Sequence, residues 1–226
     1  ARCGARVALN YYNNEERAAE TFSEFEAEGF EGLMLRADVS EEESVNALCK
    51  EVAEKLGGID ILVHNAAVRQ RKSFDELSRA DFQKVIDLSI LGCFHLAKAC
   101  VPSMRERGGG AIVNVSSVGS VVGWENGAAY LASKGAINQL TRSMAIDYMR
   151  DGIRVNALCP GWIASDQERA RVEEDPSLVE SHCVSKGIAR MGEAREMAYV
   201  ALFLACHESS YVTGSALFAD GGWTLQ

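Results

Sequence analysis

Short apolar runs alternate with amphipathic stretches from one end of this chain to the other, and no other feature restricts its possible folds as strongly. Residues 5–10 (ARVALN) read as a strand, followed by a helix to about residue 28 with acids on its outer face. Gly29 and Gly32 interrupt it, and residues 33–37 form a second strand. Ser40 is expected to cap the next helix, whose first turn is Glu41, Glu42 and Glu43; acids there suit the helix dipole and build a capping box. Gly57-Gly58 ends that helix before a third strand at 59–63. A long helical region over 78–105 leads to a Gly108-Gly109-Gly110 turn and a strand at 111–115. A helix over about 127–150, a strand at 153–158 and a polar segment to about 192 follow. The chain closes with a helix at 193–206 and a strand at 216–219. Strands that alternate with helices and are mostly apolar on both faces imply a mainly parallel sheet covered on each side. The expected class is therefore α/β, a single doubly wound, Rossmann-like domain spanning 1–226.

Composition narrows the possible partners. A chain of 226 residues, 47% hydrophobic and 24% charged, can enclose a sizeable core and is neither disordered nor fibrous. Its net charge of −9 gives no electrostatic reason to expect nucleic acid or an anionic membrane as a partner. Much of the acidic excess belongs to helix starts and solvated surface. No stretch reads as apolar for long enough to cross a bilayer, and no signal-peptide pattern opens the chain, which begins at Ala1. Seven cysteines without a C-x-x-C pair fit a reduced, cytoplasmic protein with mostly buried thiols. The four histidines lack metal-ligand spacing, so no metal is expected.

In doubly wound sheets, ligands bind beyond the carboxyl ends of the strands. Those positions are Asn10-Tyr11, Asp38, Asn65-Ala66-Ala67, Ser116-Ser117 and Pro160-Gly161. Tyr130 and Lys134, four residues apart on a helix, share one face. A phenol is a poor proton donor or acceptor at neutral pH; an ammonium beside it favours the phenolate and makes it a useful general acid/base. Ser117 could donate its hydroxyl to a carbonyl oxygen. Taken singly, these features have plainer readings: a surface lysine along a tyrosine ring, a turn at Pro160-Gly161, a helix N-terminal acid at Asp38.

Together they are more specific. Asn65-Ala66-Ala67 after a strand, Ser117 thirteen residues before Tyr130, Tyr130-x-x-Ser133-Lys134, Pro160-Gly161-Trp162-Ile163, and Tyr211-Val212-Thr213-Gly214 before Asp220-Gly221-Gly222 occur in order. This arrangement resembles the short-chain dehydrogenase/reductase family, whose members transfer hydride between a nicotinamide cofactor and a carbonyl or alcohol. The resemblance implies that Tyr130 is the general acid/base, that Lys134 assists it and bonds the nicotinamide ribose, and that Ser117 holds the substrate oxygen. It further implies that Asp38 and Val39 approach the adenine and that Asn65, Ala66 and Ala67 pass beside the adenosine ribose. Pro160, Gly161, Ile163 and Ser165 would line the nicotinamide, with Ser165 where the family often has Thr. Trp124 and Trp162 are expected to border the substrate pocket beside Ser117 and Tyr130, with Glu125 near them.

Two departures from the family pattern stand out. Ser89 occupies the place where the family usually has an Asn that supports a water-linked proton relay; a weakened or rerouted relay is expected. The glycine-rich turn that cradles the pyrophosphate does not occur. Residues 1–10 resemble the end of the family's first helix and its second strand, so the first βα unit, roughly 25 residues in such sheets, is expected to be absent. Asn10 and Tyr11 open the turn that selects the cofactor. Asn10-Tyr11-Tyr12-Asn13-Asn14 holds no carboxylate to repel a 2′-phosphate, so NADP is favoured over NAD, although no Arg follows. Arg69, Arg71 and Lys72 would either meet an acidic substrate or acyl-carrier protein, or form a solvated loop. Residues 162–192, with the polar stretch 166–187, are expected to be a substrate lid. The family analogy implies a homodimer or homotetramer. Two functions follow: an NAD(P)-dependent reductase of a carbonyl such as a 3-oxoacyl thioester or sugar ketone, or a non-catalytic binding or assembly subunit of the same fold.

Overall fold

A computed structural model describes residues 1–184, 187–188 and 190–225. Its elements run β1 (Val7–Tyr11), α1 (Glu15–Ala27), β2 (Gly32–Arg36), α2 (Glu42–Leu56) and β3 (Ile61–His64). Then come α3 (Arg79–Ile86), a π-helical turn (Asp87–Leu91), α4 (Gly92–Glu106), β4 (Gly110–Val115) and α5 (Ala128–Tyr148). The last are β5 (Ile153–Pro160), α6 (Asp166–Glu174), α7 (Ser177–His182), α8 (Ala194–Ala205) and β6 (Ala216–Ala219). The α/β alternation read from the sequence is thus present, with no strand end displaced by more than two residues.

All the ladders are parallel, as strands separated by crossover helices require. They form two pieces, β1 with β2, and β3-β4-β5-β6 in that order. Among the described residues no ladder joins β1 to β3. Cover on the two faces differs between strands: β4 and β5 are buried along most of their length, whereas Ile61 and Val63 of β3 are exposed. Alternation along the central strands divides the core between two faces. Ile112, Ile153 and Val155 pack with Val45 of α2 and Val101 and Met104 of α4. Val113 and Leu158 pack with Leu204 of α8. Arg154 ties α8 down by donating to the carbonyls of Leu204, Ala205 and Cys206 at its C-terminus, groups the helix itself leaves without donors.

Two further expectations change, at Ser40 and in the polar segment before residue 192. The capping box at Ser40 does not form: the Ser40 hydroxyl donates to Asp38 Oδ1 at 2.6 Å, and α2 starts one residue later from Glu41 without a side-chain cap. A capping box does open α3, where Ser78 and Asp81 bond each other's backbone N–H. Gly57, with φ of +75°, terminates α2 in the left-handed conformation that favours glycine. The polar segment before residue 192 is not one loop, since α6 and α7 occupy much of it. Within the expected lid at 162–192, Ser185, Lys186 and Ala189 lie outside the described residues, as does Gln226 at the end of the domain.

One stretch is, contrary to expectation, long and apolar enough to cross a membrane: the continuous helical run Arg79–Glu106. The π turn fuses α3 to α4, so a window with few charges becomes one unbroken helix. In the fold, α4 supplies Leu96, Ala97, Cys100, Val101 and Met104 to the core, which accounts for its apolar character.

Candidate active site

The C-terminal ends of β4 and β5 bring the central residues together. Val115 ends β4, and Ser117, two residues on, is 7% exposed and accepts a hydrogen bond from Gly119 N at 3.1 Å. The chain then reaches the Asn126-Gly127 turn, where Asn126 adopts φ of +58°, a conformation Asn tolerates better than most residues. That turn starts α5, so Tyr130 falls in its first helical turn and Lys134 in its second. Trp124 packs against Gly127, where a Cβ would lie 2.6 Å from the indole nitrogen.

Ser117, Trp124, Tyr130, Gly161 and Trp162 line one cavity of about 470 Å³. Lys134 lies beneath it, 3% exposed, its Nζ donating to Val115 O at 2.7 Å and standing 5.6 Å from the centre of the Tyr130 ring. Burial brings the Lys134 ammonium down to about 8. Ser116 Oγ donates to the Lys134 carbonyl at 3.1 Å, so strand end and helix are bonded in both directions. The wall is polar and acid/base-capable at one end and aromatic at the other, an arrangement suited to holding a small molecule with one reactive oxygen.

Other expected residues lie around this centre. Pro160 ends β5, and at Gly161 a Cβ would come 2.7 Å from Asp220 Cα, so the close approach of the two chain segments requires glycine. Ile163 forms a parallel bridge with Gly192, and Ser165 caps α6 by accepting from Glu168 N at 3.3 Å. Asn65, Ala66 and Ala67 follow β3, with Asn65 and Ala67 exposed. Asn10, Tyr11, Asp38 and Val39 gather at the ends of β1 and β2, away from the cavity's lining. There Asn10 Nδ2 donates to Ala37 O at 3.1 Å, Asp38 accepts from Ser40, and Val39 is buried against Gly92. Ser40 and Tyr12 hold Asp38 ionised, outweighing the opposing effect of burial.

Ser89 sits in the π turn, fully buried, and its Oγ has no hydrogen-bond partner. His64, at the end of β3, is equally sequestered: neither ring nitrogen is bonded, and burial, then the Lys134 charge, pulls its pKa down to about 4. It is therefore neutral at pH 7. The signal for His64 in the sequence was a histidine directly before Asn65, which alone says nothing about its partners.

The sequence reading also missed a polar cluster on the opposite wall. Glu168 of α6, 8% exposed, accepts from Arg69 (3.3 Å) and Arg71 (3.0 Å) on one oxygen, and from Trp162 Nε1 (2.8 Å) and Arg171 on the other. Arg69 and Arg71 thus lie on an exposed loop, as one of the readings above had it, but with their guanidinium groups paired to Glu168, whereas Lys72 turns away to pair with Asp81 at 2.7 Å. Trp223, stacked 6.3 Å from Trp124, and His182, 4.7 Å from Trp162, complete the wall. Nothing in the pattern DQERARVEE distinguishes Glu168 or Arg171 from surface residues, so only the fold could reveal them.

Comparison with known proteins gives consistent results. A family model described as enoyl-(acyl carrier protein) reductase matches residues 1–224. An uncharacterized oxidoreductase of Thermotoga maritima is 38% identical over 227 residues, covering 99% of this chain and 89% of that protein. A 3-oxoacyl-(acyl-carrier-protein) reductase of Staphylococcus aureus is 33% identical over 219 residues, covering 97% and 88% respectively. The crystal structure of a gluconate 5-dehydrogenase from Burkholderia cenocepacia J2315, in complex with NADP and tartrate, superposes with a TM-score of 0.92 at 35% identity. That match spans 100% of this chain and 88% of the other.

Proposed function

Because this chain belongs to the short-chain dehydrogenase/reductase family and is an NAD(P)-dependent oxidoreductase, we propose that Tyr130, Ser117 and Lys134 carry its chemistry, the reversible reduction of a small carbonyl compound. The observation that supports this most is the meeting of Ser117 and Tyr130 on one cavity wall with Lys134 buried below them. A non-catalytic assembly role is not favoured, since the matched relatives are named oxidoreductases.

The residues present fit the two ends of a dinucleotide. Tyr130 and Lys134 offer donors for a nicotinamide ribose, and Pro160, Gly161, Ile163 and Ser165 stand beside them. Asn10, Tyr11, Asp38 and Val39 offer an adenosine site, with Asn65, Ala66 and Ala67 beside the ribose. No phosphate contact is assigned, because the glycine-rich turn does not occur in the sequence. When bound, the nicotinamide supplies or accepts the hydride. Ser117 donates to the substrate oxygen and fixes it near the Tyr130 hydroxyl. Tyr130 gives that oxygen a proton in reduction and removes it in oxidation. Lys134, as an ammonium, stabilises the phenolate left on Tyr130. Ser89, with its unpaired hydroxyl, is assigned to a water-linked path by which Tyr130 recovers its proton. Trp124 and Trp162 shape the substrate side, and 162–192 acts as the lid. Ser117→Ala is expected to lower kcat by about 10²-fold, as loss of one positioned donor does, with cofactor affinity retained; steady-state assays and a cofactor titration check this.

NADP is the favoured cofactor. The turn after β1 has no carboxylate, and Arg36, opposite Tyr11 in the β1–β2 register, lies 5.9 Å from the Tyr12 ring and donates to Tyr12 O. It provides the positive charge that the sequence after β1 does not. Tyr11→Asp should lower kcat/KM for NADPH by at least about tenfold relative to NADH, through repulsion of the 2′-phosphate. Parallel NADPH and NADH kinetics measure the shift.

We place the protein in the cytoplasm as a homodimer or homotetramer. Its seven free cysteines suit a reducing compartment. Exposed apolar side chains on α4 (Phe94), α5 (Ile146), α8 (Tyr199, Phe203) and β6 (Leu217) suit association between copies.

A further inference from the structure

The wall facing Tyr130 carries more positive charge than its own carboxylate can balance. Glu168 accepts four hydrogen bonds, from Arg69, Arg71, Arg171 and Trp162. A carboxylate has about four lone-pair sites, so Glu168 is saturated. Each guanidinium has five N–H donors, yet among the described residues Arg69 and Arg71 each make a single hydrogen bond, both to the same Glu168 oxygen. Three cations therefore share one buried anion. Glu125, the other acid on the lining, is exposed, and burial lowers the His182 pKa.

The position of this charge relates it to the chemistry. The Arg69 guanidinium lies 5.5 Å from the centres of both the Tyr130 and Trp124 rings, so an anion on it would stand only a few bonds from a carbonyl held at Tyr130. The side chains of Arg69, Arg71 and Arg171 are 37%, 36% and 26% exposed, and all three line the cavity. In a chain of net charge −9, a positive cleft with apolar walls concentrates its field on small anions. The forked guanidinium geometry suits a planar carboxylate.

We propose that this cavity selects carbonyl substrates, and the corresponding alcohols, that carry a carboxylate, bound by Arg69 and Arg71, with Glu168 as the residue that positions both arginines. The assignment rests on the hydride-transfer reading above and names its substrate class as small oxo and hydroxy acids.

The test uses the natural full chain with NADPH and NADH. Substrates are acetoacetate, 4-oxopentanoate and 5-oxohexanoate, the methyl ester of each, dihydroxyacetone phosphate, and the neutral diketone 2,3-butanedione. The best acid is expected to exceed its ester in kcat/KM by at least about 30-fold, or about 2 kcal/mol. In Arg71→Gln that ratio should collapse toward 1 through a rise in KM for the acid. Esters that equal or outperform the acids, a preference for dihydroxyacetone phosphate over every acid, or an acid preference that survives in Arg71→Gln would each overturn the proposal. Failure of every compound, 2,3-butanedione included, to oxidise either cofactor would overturn the hydride-transfer reading itself, and the substrate assignment with it.

Discussion

Tyr130→Phe is expected to reduce kcat for carbonyl reduction by about 10²–10⁴-fold, the range that a positioned general acid supplies. The substitution removes one hydroxyl and leaves the ring, so the contacts with Trp124 and the Arg69 guanidinium persist. Cofactor affinity should therefore change only a few-fold, and the melting temperature by little, because Tyr130 makes its aromatic contacts through the ring. Steady-state kinetics together with a fluorescence titration of NADPH separate the two effects. A fall in kcat without loss of cofactor binding places the proton on Tyr130; an unchanged kcat would remove Tyr130 from the mechanism.

The second large effect concerns Lys134, where activity and stability should move in opposite directions. Lys134→Met should abolish most of the turnover, since the phenolate loses its neighbouring ammonium. It should also alter the pH dependence of stability in a defined sense. Burial lowers the Lys134 pKa from 10.5 to about 8 in the folded protein. The unfolded chain holds the proton more tightly, so folding stability from this residue is fully present above about pH 10.5 and is lost as pH falls through about 8. At pH 7 wild type bears the whole cost of a buried ammonium, offset in part by the 2.7 Å bond to Val115 O. Methionine of similar length bears none. The melting temperature of Lys134→Met minus that of wild type should be most favourable to the variant near pH 7 and should shrink by several degrees toward pH 9.5, a change of 1 kcal/mol shifting Tm by about 2–4 °C in a chain of this size. Thermal melts of both proteins without cofactor across that range provide the check. A difference that does not vary with pH would mean that Lys134 is not the titrating group.

Much of the architecture was legible because period and punctuation agreed along the chain. The helical region expected from residue 78 starts at Arg79, where the structure adds a Ser78–Asp81 capping box. At Ser40 the expected capping box misled, because a local bond to Asp38 took the hydroxyl that the cap needed. The run Arg79–Glu106 was read as one long helical region, but its apolar character over a membrane-spanning length was missed. Ser117, Tyr130 and Lys134 stood out through the set of motifs that carries the family resemblance, and the structure brings Ser117 and Tyr130 onto one cavity with Lys134 buried nearby. Glu168 and Arg171 did not stand out. Their importance comes from α6 folding back across the β3 loop, a long-range approach of residues about 100 positions apart that leaves no local pattern. His64 was hidden for the same reason: its isolation depends on what surrounds it, not on its neighbours in sequence.

Isotope transfer tests the central claim most directly. NADPH deuterated at both C4 positions of its nicotinamide would be given to the protein with a carbonyl substrate, and the alcohol analysed by mass spectrometry and NMR. The account predicts one deuterium on the former carbonyl carbon, formed at the wild-type rate with wild-type protein and at least about 10²-fold more slowly with Tyr130→Phe. Alcohol carrying no deuterium at that carbon, or labelled alcohol formed equally fast by both proteins, would contradict it.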